Sequence, residues 1–142
     1  IWHGIVLSTW AGAKGGLGAL GLVKQAKAEL ETAIELEPQA LDGSAYTSLA
    51  SLYYQVPGWP IGFGDEDKAE ALFKQALVLN PNGIDPNYFH GDFLLRQKRY
   101  DEARTALEKA LAAPARPGRE TADAGRRDEA QALLAKVKEK LE

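Results

Sequence analysis

The 142-residue sequence predicts an all-α fold: an α-α superhelix of about three helix pairs, closed by one further C-terminal helix. Three observations predict it. Apolar residues recur at helical spacing and no alternating β-branched run appears. One pattern of small and large side chains occurs three times. Proline and glycine clusters punctuate the chain between the copies.

The repeated pattern is A-x3-[large apolar]-x2-A-x4-P. Ala26, Leu30, Ala33 and Pro38 carry it first, Ala69, Phe73, Ala76 and Pro81 carry it again, and Ala103, Leu107 and Ala110 carry it a third time, with Pro114 one residue early. Alanines on one stripe of a helix let a neighbouring helix approach closely, and the large residue fills the space beside them. The proline then ends the helix or opens the next turn. Each such helix needs a partner before it. In the middle copy Tyr46, Leu49, Ala50 and Tyr53 supply one, and in the third Gly91 takes the small-residue position, followed by Leu94.

These residues resemble the tetratricopeptide repeat family over about residues 1–115. Tyr46, Leu49, Ala50 and Tyr53 match the family's W-x2-L-G-x2-Y spacing with common substitutions, and Lys98-Arg99-Tyr100-Asp101-Glu102-Ala103 resembles its turn into the second helix. Ala69 and Ala103 stand 34 positions apart, which is the family period. Of the first repeat's first helix, only Gly4 and Leu7 are visible.

The expected layout is a single domain. Repeat one covers 1–40, with a lengthened connection from Gly12 to Gly21. Repeat two covers 41–83, with a loop inserted at 56–64, and repeat three covers 84–114. Residues 115–142 form a loop and a capping helix. Its Ala130, Leu133, Leu134, Val137 and Leu141 share one face, while Arg126, Arg127, Lys136, Lys138 and Lys140 lie mostly elsewhere. Asp65-Glu66-Asp67 puts acid at the start of the helix bearing Ala69, where the helix dipole favours it.

Composition narrows the function. Seventeen basic and twenty acidic residues are interspersed and leave a formal charge of −3, so the basic stripe that nucleic-acid binding demands is missing. There is no cysteine, which excludes disulfides, thiolate chemistry and Cys-based zinc sites. No run of about 18 apolar residues predicts a membrane span. The chain opens at Ile1 and has no methionine, so an upstream segment is expected, and a removed secretory signal or a tag would both fit. Lengthened turns of this kind resemble uncharacterised bacterial members of the family. More faintly, they resemble the tetratricopeptide-like component of periplasmic solute transporters, which leans the expected location to the periplasm or export over the cytoplasm.

Several motifs imitate chemistry. Gly16-Leu17-Gly18-Ala19-Leu20-Gly21 satisfies G-x-G-x-x-G, but no preceding strand offers the βαβ context that brings its glycines to a pyrophosphate, so a turn between helices is expected. His3 and His90 are the only histidines and belong to different repeats, which argues for packing over metal binding or acid–base work. Glu29 and Glu31, two apart on a helix, do not face each other and read as a solvated surface. No catalytic residues, cofactor or metal ligands are predicted, and the chain is expected not to be an enzyme.

The resemblance implies a protein-interaction scaffold, because in this family the first helix of each pair lines a concave groove used for peptides or partner helices. Aligning those helices places Thr47, Ser51, Tyr54 and Gln55 on the groove in repeat two, and Tyr88, Asp92, Leu95 and Arg96 in repeat three. Asp92 and Arg96, four residues apart, are expected to pair. The family's clamp for an acidic chaperone C-terminus is missing, since Ile1, Ile5, Ser48, Asp85 and Phe89 occupy its places. Trp59 and Phe63 sit in the inserted loop. Either they fold back on the helix pair or they stand at the groove edge as anchors for a partner. They also motivate an alternative, a small-ligand-binding accessory of solute uptake. Self-association through the groove is a third possibility.

Overall fold

A computed structural model of the chain describes residues 16–37, 43–58 and 62–142. Six α-helices are present among the described residues: α1 (Gly16–Leu36), α2 (Ser44–Gln55), α3 (Glu66–Leu79), α4 (Ile84–Arg96), α5 (Tyr100–Leu111) and α6 (Glu120–Leu141). They fall into two compact units, Ile1–Leu79 and Asn80–Glu142. None of the described helices is long and apolar enough to cross a membrane.

In the first unit α2 packs against both α1 and α3. The stripe read from the sequence is what α3 buries: Ala69, Phe73 and Ala76 have no solvent exposure. Facing it, α2 buries Ala45, Leu49, Ala50, Leu52 and Tyr53. On α1, Ala26 and Leu30 are buried and Ala33 is half-buried. α3 starts where it does because the Asp65 carboxylate accepts the Lys68 backbone N–H at 3.1 Å, while Glu66 and Asp67 stand at the positive end of the helix. The loop before it is tied back by the Asp65 N–H to the Tyr53 carbonyl at 2.9 Å and the Gly64 N–H to the Pro57 carbonyl at 2.9 Å.

One local expectation is corrected. Gly16–Gly21 forms the start of α1 and not a turn between helices. Glycine inside a helix costs only about 0.5–1 kcal/mol each relative to alanine, which a helix anchored further along by Ala26 and Leu30 can bear. The connection expected from Gly12 to Gly21 therefore does not include Gly16–Gly21, and Gly12 itself lies outside the described residues.

In the second unit α4 and α5 form an antiparallel pair, and α6 packs on both. Asn87 sets the start of α4: its side chain is buried and donates to the Pro81 and Gly83 carbonyls at 3.0 and 2.9 Å, fixing the turn that precedes the helix. Gly91 sets the spacing of the pair. A Cβ there would lie 2.7 Å from Leu107 Cγ, so only glycine lets α4 and α5 approach this closely. α5 buries Ala103, Ala106, Leu107 and Ala110. Between them, α4 ends in a Schellman turn. The Arg99 N–H reaches the Leu94 carbonyl at 2.9 Å, the Lys98 N–H reaches Leu95 at 3.0 Å, and Lys98 takes the left-handed φ of 62°.

α6 buries Ala130, Leu134 and Val137, with Leu133 half-buried. Leu141, expected on the same stripe, is 37% exposed. The residue the apolar pattern does not announce is Asp123, only 1% exposed in the first turn. Arg116, in the loop before α6, answers its charge: Arg116 Nε donates to Asp123 Oδ1 at 2.9 Å, its Nη2 makes a second bond to the same oxygen, and its backbone N–H reaches Oδ2 at 3.3 Å. The guanidinium holds the Asp123 carboxyl below its ordinary range, against the opposing effect of burial.

Two predictions follow from this packing. Gly91→Ala lowers the stability of the chain by about 1–3 kcal/mol through overpacking against Leu107, whereas Gly125→Ala, in the open interior of α6, raises it by about 0.5–1 kcal/mol. Chemical denaturation of both variants checks the opposite signs. Asp123→Asn costs about 1.5–3 kcal/mol near pH 7, the range for a hydrogen bond to a charged group. Because the native carboxyl titrates lower than the unfolded one near 3.9, its contribution is complete above that value and is lost as pH falls through the native value. The gap between natural and variant chains therefore closes below about pH 4; a gap constant down to pH 2.5 contradicts the assignment.

Candidate functional site

The residues aligned to the groove lie four in each unit. On α2, Thr47 is buried at 6% exposure, so its side chain belongs to the packing of the unit. Its carbonyl accepts the half-buried Ser51 hydroxyl at 3.0 Å. Tyr54 is half-buried with its ring 5.8 Å from that of Phe73, and exposed Gln55 donates to the Tyr54 hydroxyl at 3.2 Å. Tyr54 and Gln55 thus form the outward part of this set.

Of the two loop aromatics, Trp59 lies outside the described residues. Phe63 is half-buried and meets Tyr53 edge to face, with ring centroids 5.6 Å apart. Two lysines stand over this pair. Lys27 Nζ is 5.9 Å from the Tyr53 ring and 5.6 Å from Phe63, and Lys68 Nζ is 5.6 Å from Tyr53. Lys27 also binds Glu31 at 3.0 Å, which together with Tyr53 raises its pKa despite burial.

On α4, Asp92 and Arg96 are 3.4 Å apart, the pair that their spacing predicts. Leu95 beside them is half-buried and Arg96 is exposed. Tyr88 has a different neighbourhood. Its ring meets Phe89 edge to face at 5.1 Å, and the Arg126 guanidinium carbon stands 4.9 Å from the Tyr88 ring and 4.7 Å from Phe89. Burial pushes the Tyr88 hydroxyl up to about 12, with the negative charges of Glu129 and Asp92 adding to the effect. His90 lies parallel to Phe93, centroids 6.4 Å apart, as a packed ring.

Sequence reasoning passed over a charged network in this unit. Asp85 accepts Arg126 Nε at 3.0 Å and lies 3.6 Å from Arg116 Nη1, while Arg126 Nη1 reaches Glu129 at 3.2 Å. Arg127 adds a bond of 2.8 Å to the Ala113 carbonyl. Asp85, Tyr88 and Phe89 at i, i+3 and i+4 were a visible signal of one shared face. Nothing local could name Arg126, 41 residues downstream, as what lies on it.

Among the described residues no group of three or more His, Cys, Asp or Glu side chains could hold a metal. No curated protein matches the chain. Residues 61–117 match the tetratricopeptide repeat family. That segment contains α3, α4 and α5, with the buried stripes Ala69, Phe73, Ala76 and Ala103, Leu107, Ala110; over these residues the chain is similar to the tetratricopeptide repeat family.

Proposed function

We propose that the chain is a non-catalytic scaffold that binds a peptide or partner helix, with candidate contact residues on the outward face of α2 in the first unit and, separately, on that of α4 in the second. The family match over residues 61–117 carries this reading, since tetratricopeptide repeats generally serve protein–protein interaction and not catalysis. The chemistry of the two faces supports it. On α2, Tyr54 and Gln55 offer a ring edge and an amide. On α4, Leu95 stands beside the Asp92–Arg96 pair, giving apolar contact and both charges within one turn. Aromatic and arginine side chains that combine apolar surface with directional hydrogen bonding are the types enriched in binding hot spots.

Gln55 and Arg96 are both exposed, so replacing them leaves the core alone. Gln55→Ala with Arg96→Glu is expected to melt within a few degrees of the natural chain and to lose at least tenfold in affinity for the partner captured from host extract, measured by titration with that partner purified. Unchanged affinity in the folded double variant defeats the reading.

A further inference from the structure

Asparagine before glycine is chemically labile, because no side chain on the glycine keeps its nitrogen from the asparagine carboxamide. The chain has three asparagines, Asn80, Asn82 and Asn87, and all three stand in or beside the turn that precedes α4. Chemistry and structure separate them. Asn80 precedes Pro81, whose nitrogen has no hydrogen and cannot attack. Asn87 is buried, and its amide is held by the Pro81 and Gly83 carbonyls. Asn82 precedes Gly83, is exposed, and makes no side-chain hydrogen bond among the described residues.

The turn holds the reacting nitrogen weakly and keeps the glycine in place. The Gly83 N–H reaches the Asn80 carbonyl at 3.3 Å, just beyond the usual range for such a bond. A Cβ at position 83 would lie 2.2 Å from Asn80 Nδ2, so any side chain there has to push that amide aside. The packing that shapes the turn therefore also retains the labile pair.

We propose that Asn82 is a site of spontaneous covalent modification, at which the folded chain converts Asn82-Gly83 to an isoaspartyl linkage that loosens the start of α4. The Gly83 nitrogen attacks Asn82 Cγ. The N–Cγ bond forms as the Cγ–Nδ2 bond breaks, and the proton of the Gly83 N–H leaves with Nδ2 as ammonia. Water then opens the succinimide ring, and either product keeps one oxygen from that water. Opening at Cγ gives an ordinary aspartyl chain; opening at the main-chain carbonyl routes the chain through Cβ and Cγ and frees the other carboxylate.

The two products act differently on α4. A carboxylate at 82 stands close to the positive end of the helix, which favours it. The isoaspartyl form adds a methylene to the main chain between the Pro81 and Gly83 carbonyls, the two acceptors that Asn87 Nδ2 holds at 3.0 and 2.9 Å. The brace at the start of α4 cannot keep both bonds once their spacing changes. This modification does not depend on the scaffold reading.

The test incubates the full folded chain at mildly alkaline pH in water labelled with heavy oxygen, then maps its peptides by mass spectrometry; the label marks reaction in the folded chain and not during digestion. Labelled conversion at Asn82 is expected to run at least tenfold faster than at Asn80 or Asn87, with the isoaspartyl peptide identified by co-elution with a synthetic standard. Asn82→Gln, a methylene too long for the succinimide ring, is expected to stay unmodified. Hydrogen exchange over the first turn of α4 is expected to be at least tenfold faster in the purified isoaspartyl form, while Asn82→Asp, with the same charge on an ordinary backbone, matches the natural chain. No labelled conversion at Asn82 in the folded chain, or equal conversion at all three asparagines, overturns the proposal. So does an isoaspartyl form whose α4 exchanges like that of Asn82→Asp.

Discussion

The close approach of paired helices is the constraint on which the second unit depends, and Gly91 against Leu107 is where it is tightest. The Leu107 side chain occupies the space that a Cβ at position 91 would need. Because the contact is made to side-chain carbon with no exposure to water, no solvent shell can yield to accommodate a larger residue. The alanines at 103, 106 and 110 continue the same tight seam along α5. In the first unit, Ala69 and Ala76 flank Phe73 in the corresponding way. The approach of two backbones and the filling of the gap by one large ring are parts of one solution.

That seam leaves the outer surface of α4 free to carry chemistry. Pro86, Asn87, Gly91, Phe93 and Leu94 are turned into the unit, so Tyr88, Asp92, Leu95 and Arg96 are partly or fully accessible. The same geometry assigns Asp85, Tyr88 and Phe89 to the side met by α6. Packing thus divides α4 into a structural stripe, a face already engaged by Arg126 and a face carrying the Asp92–Arg96 pair. A protein-binding role needs such a division, because a face used for recognition cannot also be required to hold the fold.

The seam was legible in the sequence because alanine and glycine at fixed spacing have few other reasons to recur. Phe73 and Leu107 were legible as its large residues, and the Asp92–Arg96 pair followed from helix geometry alone. What escaped was long-range or polar. Asp123 looks like any acidic residue in a first helical turn; its burial depends on Arg116, seven residues earlier in a loop whose path no periodicity reports. Arg126 counted as one of the solvated charges of the last helix, and its place over two rings depends on the tertiary contact of α6 with α4. Thr47 was aligned to an open face yet is buried, since alignment to a pattern fixes a helical angle but not what covers it. The glycines at 16–21 suggested a turn, and here helix propagation outweighed local propensity.

The close approach of α4 and α5 is tested most directly by a double-mutant cycle between positions 91 and 107, followed by denaturant unfolding. If Leu107 is what excludes a side chain at position 91, the cost of Gly91→Ala disappears once Leu107→Ala has removed the obstructing carbons, and the coupling energy exceeds about 0.5 kcal/mol. A Gly91→Ala cost that is the same with Leu107 present or truncated contradicts the account.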